Sequence, residues 1–249
     1  MKRALLIGIN YYNTSYELHG CINDTMHMKS VLLDKYGFNE SNITTLTEKA
    51  LLPSKTNIIN CIEKLVNGAR PGDTLVFSYS GHGLNIPDYN HDEKCGFDDA
   101  IAPVDFQKVG FISDDDLFKL LVSRIPKDVT LIAIFDCCHS GSICDLRWNF
   151  TFSEYVVSSW EENKNETQGN VVVMSGCMDN QTSADAFIQY QSQGAFTFCL
   201  LEVLRQHNYN IIVKELLRKV DILLASNSFP QKSQVSCSKN DLFEKAFSF

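Results

Sequence analysis

The sequence predicts an α/β fold in which a central, mostly parallel sheet carries helices on both faces. Three observations lead there. Short apolar runs rich in β-branched and aromatic residues recur along the chain, each bounded by Gly, Pro, Asp or Asn, as expected of strands buried on both faces. Amphipathic segments with apolar residues three and four apart lie between them. The two patterns alternate, and repeated strand and helix alternation builds a parallel sheet.

The first run, ALLIGI at residues 4 to 9, starts after two basic residues and stops at a polar Asn, so it is too short for a signal-peptide core and reads as a strand. A helical pattern follows at about 20 to 36 and another at 54 to 67. DTLVFSYS (73 to 80) is the next strand, then a helix at 114 to 124 in which Leu117, Leu120, Leu121 and Ile125 share a face. VTLIAIF (129 to 135) and NVVVMSG (170 to 176) complete the strand set, and helical patterns at 195 to 207 and 211 to 225 close the chain. The polar stretch EENKNETQGN (161 to 170) is the only internal linker the composition suggests, so one domain is expected across residues 1 to 249, with a larger part before the linker and a smaller one after it.

Composition narrows the function class. With 249 residues and 44% hydrophobic content, the chain can bury one sizeable core. A net charge of -8 argues against a nucleic-acid or anionic-membrane partner, since both attract basic patches. No stretch is long and apolar enough to span a bilayer. Nine cysteines, an odd number scattered through apolar runs and loops, fit a reducing, intracellular (cytoplasmic) setting better than a disulfide framework.

In open sheets of this type, loops at the carboxyl ends of strands carry the chemistry. Two such ends stand out: SYSGHGLN (78 to 85) and FDCCHSGS (135 to 142). If their strands are parallel neighbours, His82 meets the cysteine pair on one rim, the arrangement of a thiol nucleophile activated by a sequence-distant imidazole. His139 is the poorer base, because adjacent side chains on a tight turn diverge. Other readings of the same segment fail. Adjacent cysteines lack the spacing of a zinc site, CHSGS lacks the glycine pattern of a serine nucleophile elbow, and no phosphate-binding glycine loop occurs. The run SDDDLF places Ser113 as an N-cap with Asp114, Asp115 and Asp116 on the first helical turn.

SGHG and DCCHSGS, together with IAPVDF, GCIND and GCMDNQTSADA, resemble the motifs of the metacaspases, a group of caspase-like cysteine peptidases. The resemblance runs from ALLIGINYY to at least Ala186, and the short segment between the halves is similar to type I members. It implies a caspase-like fold with a large-subunit-like region over about 1–160, a linker over about 161–170 and a small-subunit-like region over about 171–249. The Pro/Gln-rich extension that precedes many type I domains is absent from this sequence, so recruitment through a prodomain is not expected. The implied nucleophile is Cys138 and the implied base His82, acting as a dyad, with Cys137 turned to the core or the pocket wall. Backbone N–H groups of Cys138 and Gly83 would stabilise the oxyanion, each contributing about 3 kcal/mol.

The resemblance further implies cleavage after Arg or Lys, with Cys21, Asp24, Ser80 and Asp136 lining the pocket, where two carboxylates suit a guanidinium. It implies Ca²⁺ as cofactor, held by Asp98, Asp114, Asp115 and Asp145, a set of hard oxygen ligands without the spacing of an EF-hand. Protein or peptide substrates are the expected partners, the expected state is a monomer, and Lys164 in the linker is a site for self-cleavage that activity should not require. A rival from another class is a non-catalytic regulatory or chaperone-like module on the same fold.

Overall fold

A computed structural model describes residues 1–88, 96–138, 140, 143–153, 156–161, 167–177, 185–188 and 191–249. His139 and Lys164 fall outside the described residues, as does the rest of 162–166, half of the polar linker.

Among the described residues, eight strands form one sheet, in the order β2, β1, β3, β7, β10, β13, β8, β9. The predicted strands are its centre: β1 (Lys2–Gly8), β3 (Thr74–Ser80), β7 (Thr130–Asp136) and β10 (Asn170–Ser175). With β2 (Ile43–Leu46) at the edge, these five run parallel. The chain then departs from a parallel plan. β13 (Gln234–Cys237) enters antiparallel to β10, and the hairpin of β8 (Trp148–Ser153) and β9 (Val156–Glu161) completes the edge beyond it. Strands therefore occupy both ends of the stretch assigned to the linker, Glu161 closing β9 and Asn170 opening β10.

Alternation of side chains across the sheet separates two cores. Ala4, Leu6, Val76, Ile134, Val172 and Met174 face one side, where α1 (Cys21–Tyr36), α5 (Ala195–Gln206) and α6 (Val213–Ser226) cover them with Met28, Leu32, Phe196, Leu200 and Leu217. Leu5, Ile7, Phe77, Ala133, Phe135 and Val173 face the other, beneath α2 (Lys55–Val66). Helices do lie on both faces. The end of α1 is set by Gly37 at φ +67, whose N–H bonds the Leu32 carbonyl.

Between β3 and β7 the chain leaves the main sheet to build a small three-stranded one from β4 (Gly83–Pro87), β5 (Phe97–Ile101) and β6 (Ile112–Ser113), with the single turn α3 (Phe106–Val109) in between. The predicted 114 to 124 helix is one α-turn, α4 (Asp114–Leu117), continued by a π-type turn at Phe118–Val122. Ser113 caps it as expected, its Oγ accepting the Asp116 N–H at 3.2 Å. A second small hairpin, β11 (Asp185–Ile188) with β12 (Gln191–Gly194), leads directly into α5.

β1 leads by way of α1 to β2 on one side, and the chain returns through α2 to β3 on the other. The strand order thus reverses between β1 and β3, the point where α/β sheets open a crevice at their carboxyl edge.

Candidate active site

At that edge β3 and β7 are parallel and in register, Ser80 opposite Asp136. Pairing extends one residue further through the Gly81 N–H to the Asp136 carbonyl at 3.4 Å. His82 and Cys138 therefore leave neighbouring strands at the same height. Gly83 brings the two segments into contact. A methyl group at position 83 would lie 1.9 Å from the Cys138 carbonyl oxygen and 3.1 Å from Cys137 Sγ, so only glycine fits. His82 and Ala102 are bonded across β4 and β5 by the Ala102 N–H to the His82 carbonyl, 3.1 Å. Gly83 and Ile101 are then the non-hydrogen-bonded pair of that ladder, and the Gly83 N–H points away from β5.

The two cysteines separate cleanly. Cys137 is 1% exposed and belongs to the core beneath α2, where burial first and Cys138 second push its thiol well above the ordinary range. Cys138 is partly exposed. Of the adjacent pair, only Cys138 can meet a substrate.

The His82 ring is partly exposed, and its Nε2 lies 2.8 Å from the carbonyl oxygen of Tyr16. With Nε2–H donating there, Nδ1 is the nitrogen free to exchange a proton. The loop that presents this carbonyl is closed on itself by the Leu18 N–H to the Asn10 carbonyl (2.8 Å), Thr14 Oγ to the Tyr11 carbonyl (2.7 Å) and the Asn13 N–H to Glu17 (3.0 Å). Sequence reading could not find Tyr16, because a main-chain acceptor leaves no mark in residue type.

The predicted pocket acids meet around one glycine. Asp24, on the first turn of α1, accepts Ser80 Oγ at 2.6 Å and the Gly194 N–H at 2.9 and 3.1 Å. Asp136 accepts the Thr197 N–H at 2.8 Å and so caps α5, whose own N-cap Gly194 has no side chain to do it. A Cβ at Gly194 would sit 2.1 Å from Asp136 Oδ2 and 2.7 Å from Asp24 Oδ2. The structure thus brings Asp24, Ser80 and Asp136 together, and Cys21 is buried one turn before Thr25 with its carbonyl against Gly8. Gly194 and Thr197 were missed; a Gly directly before an apolar helix was the available signal.

A second acidic group lies along β5 and α4. Asp98, Asp114 and Asp145 are buried, and burial, followed by the charge of Asp145, pushes the Asp114 carboxyl up to about 8. Its oxygens accept the N–H groups of Asp99 and Asp115, each at 2.8 Å. Asp145 sits at φ +49, a left-handed conformation that non-glycine residues seldom adopt. Asp115 follows Asp114 on the turn and is partly exposed. Among the described residues no three His, Cys, Asp or Glu side chains already form a ready coordination shell.

Comparison with known proteins decides the family. Residues 2–147 match the family model described as metacaspase, peptidase C14 domain, more than half of the chain. The chain belongs to the metacaspases. It is 40% identical to Metacaspase-2 of Trypanosoma brucei brucei over 99% of this chain and 76% of that protein. It is 35% identical to Metacaspase-1 of Scheffersomyces stipitis over 95% of this chain and 70% of the relative. Among solved structures, a Geobacter sulfurreducens protein aligns with a TM-score of 0.71 at 23% identity, covering 98% and 97% of the two chains. Caspase-1 of Spodoptera frugiperda aligns with a TM-score of 0.56 at 15% identity over 95% of this metacaspase and 87% of the caspase. The fold is caspase-like, and the family is one of cysteine peptidases. No helix among the described residues is long and apolar enough to cross a membrane.

Proposed function

We propose that this metacaspase is a Ca²⁺-dependent cysteine endopeptidase that cuts after Arg or Lys through a dyad of Cys138 and His82. The observation that carries the reading is the parallel register of β3 and β7, which puts the partly exposed thiol and the imidazole on one rim while the neighbouring thiol is buried. In the reaction His82 takes the thiol proton, and the sulfur of Cys138 attacks the scissile carbonyl carbon. The imidazolium then returns the proton to the leaving amine, and water, deprotonated by the same ring, hydrolyses the thioester. The Tyr16 carbonyl accepts from Nε2 and orients the ring, a part a carboxylate takes in a triad. The N–H groups of Gly83 and Cys138 are the oxyanion donors; a Gly83 N–H not engaged by β5 supports this assignment.

Cleavage after Arg or Lys rests on Asp24 and Asp136. Two buried carboxylates that meet at Gly194 put negative charge beside one cleft, which favours a guanidinium over an acidic side chain. The metal reading rests on the donor set of Asp98, Asp114 and Asp145, with Asp115 beside them. Hard carboxylate oxygens, one of them protonated to about pH 8 by burial and by the charge of Asp145, suit a divalent cation such as Ca²⁺. Bound there, Ca²⁺ would supply the positive charge the cluster lacks and draw the loop of Asp145 to α4. The same proposal takes the chain to act as a monomer. No observation favours the non-catalytic module.

The deciding experiment compares two single variants in a peptide-hydrolysis assay with Ca²⁺. Cys138→Ala should abolish turnover with the thermal transition kept, whereas Cys137→Ala should retain a measurable rate. The opposite pattern would make Cys137 the nucleophile.

A further inference from the structure

His82 is gripped by its backbone as well as by its ring. Its N–H donates to the Tyr11 hydroxyl at 3.0 Å, and its carbonyl accepts the Tyr79 hydroxyl at 2.8 Å. The two phenols lie 3.1 Å apart, and Tyr11 Oη passes its own hydrogen to the Ala102 carbonyl at 2.7 Å. One consistent chain runs from the His82 N–H through Tyr11 to Ala102, while Tyr79 closes on the His82 carbonyl.

Three further features single out this arrangement from an ordinary core hydrogen bond. Tyr11 is 2% exposed and Tyr79 0%, yet both place their only polar atom under one residue. Tyr11 holds φ at +51, an outlier for an aromatic residue and the kind of strain that persists only where surroundings impose it. Gly81, the first glycine of SGHG, leaves no room for a side chain, because a Cβ there would lie 2.7 Å from Tyr79 Oη and 3.0 Å from Tyr11 Oη. The Tyr11 ring also lies 4.8 Å from the imidazole, and the same loop offers the Tyr16 carbonyl to Nε2. Burial raises both phenols far above their ordinary range, so the hydroxyls keep their hydrogens at any pH at which the enzyme works.

We propose that Tyr11 and Tyr79 are positioning residues for His82, a hydroxyl clamp that fixes both sides of its backbone and thereby holds the imidazole in line between Cys138 and the Tyr16 carbonyl. This rests on the reading of His82 as the base. A proton-transfer group displaced by a fraction of an ångström loses rate steeply, and the loss falls on the chemical step, not on substrate binding.

The test uses Tyr11→Phe and Tyr79→Phe, which keep the rings and delete only the hydroxyls, each alone and combined with His82→Ala. Two rates are measured below the melting temperature: turnover of an arginyl peptide, and alkylation of Cys138 by iodoacetamide across pH, read at that residue by peptide mass spectrometry. Each phenylalanine variant should lower kcat and the Cys138 alkylation rate by about tenfold with KM within about twofold. Neither should slow alkylation further once His82 is Ala, because the clamp acts only through that ring. If one variant fails to fold, the other carries the test alone, since each holds a different side of the same residue. Wild-type rates in both phenylalanine variants, beside an inactive His82→Ala, would overturn the clamp and leave the dyad standing. So would an equal slowing in the presence and absence of His82. A His82→Ala protein with wild-type turnover would overturn the dyad, and the clamp with it.

Discussion

Two groups of buried aspartates lie in this molecule, and they are built differently. Asp24 and Asp136, 2% and 5% exposed, point at the junction of β12 and α5 and are met by the N–H groups of Gly194 and Thr197 and the Ser80 hydroxyl. Asp98, Asp114 and Asp145 form the other group: burial first and the charge of Asp145 second hold the Asp114 carboxyl protonated to about pH 8. Burial alone does not decide what an acid does. The first pair is held by backbone N–H groups and a hydroxyl and serves to dock α5. The second group has an excess of like charge that protons or a metal must offset.

The largest way to break this contrast is Gly194→Ala. The new methyl has no space between the two carboxylates, and overpacking of this kind costs about 3 kcal/mol, a Tm drop of roughly 10 °C in a chain of this size. Turnover of arginyl peptides should fall more than tenfold, and thermal melts beside a peptide assay would check both. A variant with wild-type Tm would show that the acids yield freely and do not anchor α5.

Asp24→Asn and Asp136→Asn separate charge from docking. An amide oxygen still accepts the backbone N–H groups, so Tm should move little, while kcat/KM for Arg and Lys peptides falls by about 10–100-fold for each variant. Neither should cut after Asp, because removing negative charge supplies no cationic partner. If the folded double variant keeps its preference for Arg, other residues build the pocket.

The second group should answer to pH and metal instead. Asp114 holds its proton to about pH 8 in the fold but releases it near 3.8 in the unfolded chain. Its contribution to stability is complete below pH 3.8 and lost as the pH rises through 8. Tm should therefore fall across that window without metal, and Ca²⁺ should restore it, most at the alkaline end, where the carboxylate is free to bind. Asp114→Asn should flatten the pH dependence and remove the Ca²⁺ response in both melts and turnover, while Asp24→Asn keeps both. Equal Tm and equal activity in chelator and in Ca²⁺ would refute the metal.

The smallest effect belongs to Asp221, a buried acid on α6. Burial raises it to about 6, although Ser233 donates twice to Oδ1 and draws it back down; Oδ2 finds no partner. Asp221→Asn should flatten the Tm profile between about pH 4 and 6 and leave kcat unchanged. A lowered kcat would show that this acid acts on the site and not on stability alone.

How legible all this was in the sequence follows from where the information resides. β1, β3, β7 and β10 announced themselves because strands buried on both faces must be apolar throughout, and α1, α2, α5 and α6 because one face of each is. β13 did not, although it lies inside the sheet. Its Gln234 and Ser236 are satisfied by Asn149 on β8, at 3.2 and 2.6 Å, so a buried polar network stands where alternation was sought. β2 is four residues at an edge and carries little signal. At the site, motif residues placed His82 and Cys138 on one rim. The Tyr16 carbonyl and the Asp136 cap on α5 were hidden, since both depend on backbone groups brought from distant segments.

The position of β13 also dictates an order of assembly. The β8–β9 hairpin precedes β10 along the chain, yet it reaches the sheet only through β13, near the carboxyl end. While the chain leaves the ribosome, the hairpin has no neighbour to pair with, and β10 waits with an open edge. The final strand closes both at once. A break in the polar segment after β9 would therefore not release two halves, because the piece before the break has its last hairpin stitched to a strand contributed by the piece after it.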